Sequence, residues 1–128
     1  MEIEVFFEEN MKVNARVGKH ILKTDQPERS GGDDTAPSPF EYFLSSIGTC
    51  AGIYVKRFCD QRGIDSSNIR ILQKHNFDLK THLIDRIEIE ITLPEDFPEK
   101  YKPAIIKVAN QCAVKKHLQT PPEIVVNC

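Results

Sequence analysis

Hydrophobic and polar residues alternate near the start of the chain with the two-residue period of β-strands. Ile3, Val5 and Phe7 are separated by single residues, and the same spacing recurs over residues 13–17. Residues 20–24 have the composition and length of a third short strand. The pattern therefore predicts three strands within the first 25 residues.

A segment without periodicity follows these strands. Residues 25–37 are rich in Gly, Pro and Asp, which is typical of a loop. With about 13 residues this loop is long for a compact domain, and loops of that length are often functional. We therefore treat it as a candidate functional segment.

The next segment carries the signals of a helix start. Ser38 is suited to the N-cap and Pro39 to the first helical position, and Glu41 stands where it completes a capping box. The helix is predicted to run to about Arg62 and to end at Gly63. Because its central residues are apolar or small on every face, we expect it to be buried at the centre of the protein.

The second half of the chain returns to strands before a further helix. Isoleucine and leucine alternate strictly with polar residues over 87–93, which predicts a strand with one face towards water. Because strands occur in groups and do not alternate singly with helices, the order indicates the α+β class. The elements predicted after the long helix are strands over 69–77 and 87–93, a second helix from Pro98 or Pro103 to about Leu118, and a final strand over 124–126.

Length, composition and charge narrow the class of protein. The chain has 128 residues, with 40% hydrophobic and 28% charged residues, which is typical of one globular domain spanning 1–128. The net charge of -2 argues against a partner that is nucleic acid or an anionic membrane. The longest apolar or small stretch, Ile47–Val55, is too short to cross a membrane, and no basic leader opens the chain. The expected location is therefore cytoplasmic.

Four cysteines carry the candidate chemistry. Cys50 and Cys59 are nine positions apart on the long helix, so they lie on opposite faces and cannot pair. Cys112 lies on the apolar face of the second predicted helix. Cys59 is interpreted as a structural residue, and Cys128, at the last position, as an exposed thiol.

Small residues surround the two inward-facing thiols. Gly48 and Gly52 flank Cys50, and alanines at 109 and 113 flank Cys112. Each helical Gly costs about 1 kcal/mol relative to Ala, which indicates that a close approach is needed. Such an approach allows a functional dithiol, but simple tight packing of the two helices uses the same residues.

Four short segments resemble the OsmC/Ohr family of osmotically inducible protein C and organic hydroperoxide resistance proteins. They are residues 31–39 (GGDDTAPSP), 40–44 (FEYFL), 48–50 (GTC) and 110–114 (NQCAV). The resemblance implies an OsmC-like α+β fold with two central helices, of which one is long and buried, packed against antiparallel sheets. It also implies an intertwined homodimer with active sites at the subunit interface.

The same resemblance implies a thiol-dependent peroxidase active in the oxidative stress response. Cys50 would be the peroxidatic cysteine that reduces a small hydrophobic hydroperoxide, and Cys112 would resolve its sulfenic acid to a disulfide. An external dithiol of the lipoyl type would restore both thiols. No metal or bound cofactor is implied.

Two further residues enter the catalytic set by resemblance. Arg29 falls within one residue of an Arg that some family members carry in the loop, and Glu41 lies near the family's catalytic Glu. The position of that Glu is Phe40 in this chain, one residue before Glu41. Ala113 follows Cys112 where Pro is usual in the family.

The substitution at Phe40 supports an alternative function. A divergent, non-catalytic member of the family could bind a small hydrophobic or acyl ligand between Phe40, Phe43 and Tyr54.

A zinc site is a weaker interpretation. The sequence contains His75, His82 and His117, but these residues lack the close spacing of zinc ligands.

Overall fold

A computed structural model describes all residues from 1 to 128. Both sheets are antiparallel, and helices follow each of them, so the α+β class is confirmed. None of the helices combines the length and the apolar character needed to cross a bilayer. The elements are β1 (Ile3–Phe7), β2 (Val13–Val17), β3 (His20–Leu22), α1 (Pro39–Asp60), β4 (Arg70–Asp78), β5 (Leu83–Thr92), α2 (Lys102–Ala109) and α3 (Ala113–Gln119).

The contacts divide the chain into two compact units. The N-terminal unit, residues 1–45, contains the sheet in the order β1-β2-β3 and the first turns of α1. The C-terminal unit, residues 46–128, contains the rest of α1, the β4–β5 hairpin and both later helices. The single domain over 1–128 stays a prediction.

One face of α1 forms the core of the C-terminal unit. Val55, Phe58 and Cys59 pack with Phe97 and Ile105, and all five are at least nine-tenths buried. The thiol of Cys59 is fully enclosed, and this burial raises its pKa, as expected of a structural cysteine.

The expectation that α1 is buried on every face is wrong for the described chain. Phe43 and Ile53 are 40% and 51% exposed, although they lie within the apolar part of the helix. An apolar face without cover in a single chain marks a surface suited to a partner.

The second predicted helix is two helices, so the structure has three and not two. The break falls at Asn110–Cys112, where Cys112 adopts a non-helical backbone with φ -47° and ψ 124°. Its sulfur accepts a hydrogen bond from the backbone N–H of Lys115 at 3.4 Å and so acts as the N-cap of α3. Sulfur is a weak acceptor, so cysteine is not among the residue types that signal an N-cap.

The final strand predicted over 124–126 is also absent. Residues 121–128 have no regular structure, and Ile124 and Val126 are 84% and 91% exposed. A strand is stabilised by the backbone hydrogen bonds of a neighbour, which the sequence pattern alone does not provide.

The long loop of the N-terminal unit is built around a buried carboxylate. Asp25 is fully buried and accepts hydrogen bonds from the hydroxyl of Thr35 at 2.7 Å and from the backbone N–H of Thr35 at 3.0 Å. The N–H groups of Gln26 and Asp33 add two more, at 2.8 and 3.3 Å. These hydrogen bonds, with that of the Thr35 hydroxyl the strongest, lower the pKa of Asp25 to about 2. The carboxylate therefore remains ionised at neutral and mildly acidic pH.

Candidate active site

The structure brings Cys50 and Cys112 together within the C-terminal unit. Cys50 projects from the middle of α1, and Cys112 stands at the start of α3. The two thiols lie close enough for each to shift the pKa of the other. The Cys112 thiol also lies 3.8 Å from the carbonyl oxygen of Ile47, one turn before Cys50. Two cysteines remote in sequence thus share one site.

The break before α3 supplies further donors to this site. Because a helix start leaves its first backbone N–H groups without intrahelical partners, these groups are free to bond a neighbouring atom. The backbone N–H groups of Ala113 and Val114 both act on the sulfur of Cys50 and lower the pKa of its thiol.

These contacts make the two thiols chemically different. Burial by itself raises the pKa of Cys50, but the hydrogen bonds from Val114, Cys112 and Ala113 outweigh it and bring the pKa below its ordinary value. Burial is also the main influence on Cys112, and together with the neighbouring Cys50 sulfur it raises the pKa of that thiol. Cys50 is half-buried, whereas Cys112 is only 1% exposed. The more accessible sulfur is thus also the better thiolate.

Arg29 and Glu41 lie in the N-terminal unit. The carboxylate of Glu41 accepts hydrogen bonds from the N–H and the hydroxyl of Ser38 at 2.7 and 2.8 Å, which confirms the predicted capping box. These bonds lower the pKa of Glu41, and the positive charge of Arg29 adds a smaller effect in the same direction. Arg29 is exposed in a short 3-10 turn over Glu28–Ser30. The catalytic roles of both residues stay predictions.

A cavity of about 550 Å³ adjoins Cys112 in the C-terminal unit. Most of its wall is apolar, and Arg86, Glu88 and Lys115 add charge to the lining. Arg86 lies 3.5 Å from Glu88, and Lys115 donates to the side-chain oxygen of Asn110. The lining residues are Ile47 of α1; Arg86, Ile87, Glu88, Ile89 and Ile91 of β5; Ile106 and Ala109 of α2; Asn110 and Cys112; and Lys115 and Leu118 of α3.

Comparison with known proteins assigns the family. The family model described as OsmC-like protein matches residues 31–127, which is most of the chain and includes both cysteines of the site. The chain belongs to the OsmC-like family. No match was found among curated proteins.

Solved structures of OsmC-like proteins share the fold at low sequence identity. An OsmC-like protein from Mycoplasma pneumoniae has a TM-score of 0.68 at 14% identity, with 94% of this chain and 87% of that chain covered. The organic hydroperoxide resistance protein OhrB of Bacillus subtilis has a TM-score of 0.52 at 14% identity, with 94% and 90% covered. A protein from Psychrobacter arcticus 273-4 has a TM-score of 0.74 at 18% identity, with 89% and 85% covered.

The histidines of this OsmC-like chain do not converge. His75 lies 2.6 Å from the side-chain nitrogen of Gln73, and Nδ1 of His117 lies 2.8 Å from the carbonyl oxygen of Ala113. His82 adopts a positive φ of 57° beside Phe77. No group of three or more His, Cys, Asp or Glu side chains could hold a metal ion, so the geometry gives the zinc interpretation no support.

The close approach indicated by the two helical glycines is made to a strand and not to a second helix. A Cβ atom at Gly48 would lie 2.7 Å from Oε1 of Gln73 on β4, whereas one at Gly52 would meet Ile71 of β4 at an ordinary 3.7 Å. Sequence reasoning located the thiols but missed the α3 backbone donors, because an N–H group has no side chain that could signal it.

The N–H of Ala113 is open to a direct test, because proline removes this donor. Proline suits the first helical position, and the ψ of 124° at Cys112 suits a residue before proline. Ala113→Pro is expected to raise the pKa of Cys50, and the thiolate fraction then falls at any pH below that pKa. The rate of Cys50 alkylation by iodoacetamide at pH 7 should fall about 10-fold, while the rate at high pH remains close to wild type.

Ala113→Gly provides the matched control, because it keeps the N–H and should keep the wild-type pH profile. Alkylation should be followed by peptide mass spectrometry so that Cys50 is distinguished from the exposed Cys128. Identical pH profiles for Ala113→Pro and wild type would show that the Ala113 donor does not stabilise the Cys50 thiolate.

Proposed function

We propose that the protein is a thiol-dependent peroxidase that reduces organic hydroperoxides, with Cys50 as the peroxidatic and Cys112 as the resolving cysteine. The observation that carries this proposal is the pairing of the Cys50 and Cys112 thiols in one site, in which the more exposed thiol has the lowered pKa. Family membership and the resemblance to a hydroperoxide resistance protein support the same chemistry.

The first step is nucleophilic attack on the peroxide. The Cys50 thiolate attacks the terminal oxygen of R–O–O–H, the O–O bond breaks, and the alkoxide takes up a proton to leave as an alcohol. Cys50 is thereby oxidised to the sulfenic acid. The N–H groups of Ala113 and Val114 stabilise the thiolate before the attack. The family resemblance implies that an Arg–Glu pair stabilises this thiolate in other members.

The second step joins the two cysteines. The sulfur of Cys112 attacks the Cys50 sulfur, the S–O bond breaks, and water leaves with the thiol proton of Cys112. The existing contact between the two side chains means that only a small movement is needed. An external dithiol of the lipoyl type then reduces the disulfide and is itself oxidised.

We also propose that two chains assemble as a homodimer in the cytoplasm. Support comes from the apolar side chains left uncovered on α1, including Phe43 and Ile53. In a reducing compartment the four cysteines would remain thiols between turnovers, as the peroxidase cycle requires.

The proposal is tested by titrating the reduced protein with cumene hydroperoxide. One equivalent should yield one equivalent of cumyl alcohol and a protein that has lost two hydrogen atoms, and peptide mapping should place the disulfide between Cys50 and Cys112. A Cys128→Ser chain should behave identically, since Cys128 lies outside the site. Unreacted hydroperoxide, or a disulfide that joins other cysteines, would contradict the proposed function.

A further inference from the structure

Within the C-terminal unit, α1 leaves one side of Cys50 open. The neighbouring residues on the core side, Ile47 and Ala51, are 5% and 1% exposed. On the next turn Ile53 is exposed and Tyr54 is half-buried. At 100° per residue, Ile53 lies about 60° to one side of Cys50 and Tyr54 about 40° to the other. A hydroperoxide that approaches the sulfur from this open side therefore meets an isoleucine and a phenol.

Tyr54 is placed to reach a molecule bound at Cys50. Residues four positions apart on a helix are neighbours, with about 5–6 Å between their Cβ atoms. Because helical side chains lean towards the N-terminus, the Tyr54 ring extends over the turn that carries Cys50. The Tyr54 hydroxyl has no hydrogen-bond partner within the chain, and it is not buried. A hydroxyl donor next to the sulfur is thus available to an oxygen of the substrate.

Other donors around Cys50 are already engaged. The hydroxyl of Thr49 donates to a carbonyl of its own helix at 3.4 Å, and the thiol of Cys112 lies 3.8 Å from another carbonyl of α1. The N–H groups of Ala113 and Val114 act on the Cys50 sulfur itself. These groups hold the helix or the thiolate, and none of them supplies a proton to the departing oxygen.

We propose that the Tyr54 hydroxyl is the acid that protonates the alkoxide when Cys50 attacks an organic hydroperoxide. This inference rests on the function proposed above and adds to it the residue that delivers the proton.

The step balances in atoms and electrons. The Cys50 thiolate forms an S–O bond to the terminal oxygen of R–O–O–H, and the electron pair of the O–O bond moves to the oxygen that carries R. That oxygen takes the proton of the Tyr54 hydroxyl and leaves as the alcohol. Cys50 is then a sulfenic acid, and the Tyr54 phenolate regains a proton from water.

Proton delivery matters because an alkoxide is a poor leaving group. It is a much stronger base than a phenolate, so the proton moves from Tyr54 to the alkoxide as the O–O bond breaks. A positioned acid of this kind accelerates a reaction by about 100-fold or more. Ile53, on the other side of Cys50, offers an apolar contact to the organic group of the same substrate.

The role of Tyr54 is tested by varying the basicity of the leaving group. Cumene hydroperoxide releases a strongly basic alkoxide, whereas 3-chloroperoxybenzoic acid releases a weakly basic carboxylate that needs no proton donor. Rapid-quench measurement of the first turnover in Cys128→Ser chains follows cumyl alcohol and 3-chlorobenzoate. We expect Tyr54→Phe to slow the release of cumyl alcohol about 100-fold and to leave the release of 3-chlorobenzoate within about two-fold of the parent rate.

Tyr101→Phe is the matched control. It removes the same hydroxyl from a ring that packs edge-on against Phe58 in the core, so both rates should stay unchanged. Tyr54→Phe should also keep the pH profile of Cys50 alkylation by iodoacetamide, because the phenol acts on the leaving oxygen and not on the thiolate.

Two results would overturn the inference. An unchanged release of cumyl alcohol in Tyr54→Phe would show that this hydroxyl delivers no proton. Equal slowing with both peroxides would show that Tyr54 shapes the site without acting as an acid. Failure of the proposed function is recognised separately, since a chain with Tyr54 intact would then release no cumyl alcohol, and the inference would fall with it.

Discussion

Cys50→Ser is expected to lower the steady-state reduction of cumene hydroperoxide by on the order of 1000-fold, to the uncatalysed background. A serine hydroxyl remains protonated at neutral pH, so the backbone donors of Ala113 and Val114 have no thiolate to stabilise. The measurement is consumption of cumene hydroperoxide with dihydrolipoate as the reductant. Cys59→Ser is unsuitable as a control because Cys59 is part of the core, whereas Cys128→Ser alters only an exposed thiol and should retain full activity.

Cys112→Ser provides the mechanistic contrast to Cys50→Ser. Its first turnover should proceed at a rate within a few-fold of wild type, because Cys50 keeps both backbone donors. Without a resolving thiol, Cys50 should then accumulate additions of one, two and three oxygen atoms, visible in the intact mass. If Cys50→Ser consumed hydroperoxide as fast as Cys112→Ser in this first turnover, Cys50 would not be the peroxidatic residue.

Local sequence signals predicted most of the elements because those elements are stabilised locally. Alternation placed β1, β2 and β5, and the Ser38–Glu41 capping box placed the start of α1, where the structure shows the expected hydrogen bonds. The predictions that were wrong concern features that depend on contacts with residues distant in the sequence. Residues 124–126 have the composition of a strand but no neighbouring strand, and α1 keeps exposed apolar side chains such as Ile53, which the expectation of full burial did not foresee.

At the site, too, sequence patterns located the side chains but not the backbone groups that surround them. Gly48 and Gly52 indicated that Cys50 lies at a crowded point, and the structure places Cys50 against Cys112. The residue types between Asn110 and Cys112 did not predict that the helix would break there. The break exposes the N–H groups of Ala113 and Val114, which lower the pKa of Cys50. The groups that lower this pKa therefore depend on the backbone conformation and not on side-chain types.

Gly32→Ala is expected to lower the free energy of unfolding by about 3 kcal/mol, measured by urea denaturation at pH 7. A Cβ atom at Gly32 would lie 1.8 Å from the carbonyl oxygen of Gln26 and 2.8 Å from Oδ1 of Asp25. The Gln26 carbonyl cannot simply move away, because it accepts the N–H of Asp34 at 3.1 Å in the same network. The substitution must therefore break hydrogen bonds of the buried Asp25 carboxylate or distort the loop backbone.

Substitutions at two other glycines serve as controls that distinguish this clash from the general effect of adding a methyl group. Gly31 has a left-handed φ of 86° with open space around it, so Gly31→Ala should cost only about 1–2 kcal/mol of backbone strain. Gly52 lies within α1 with room for a Cβ, so Gly52→Ala should stabilise the protein by up to about 1 kcal/mol. A Gly32→Ala chain as stable as wild type would mean that the loop backbone rearranges freely. In that case the Asp25 hydrogen bonds would not be what holds the segment that carries Arg29.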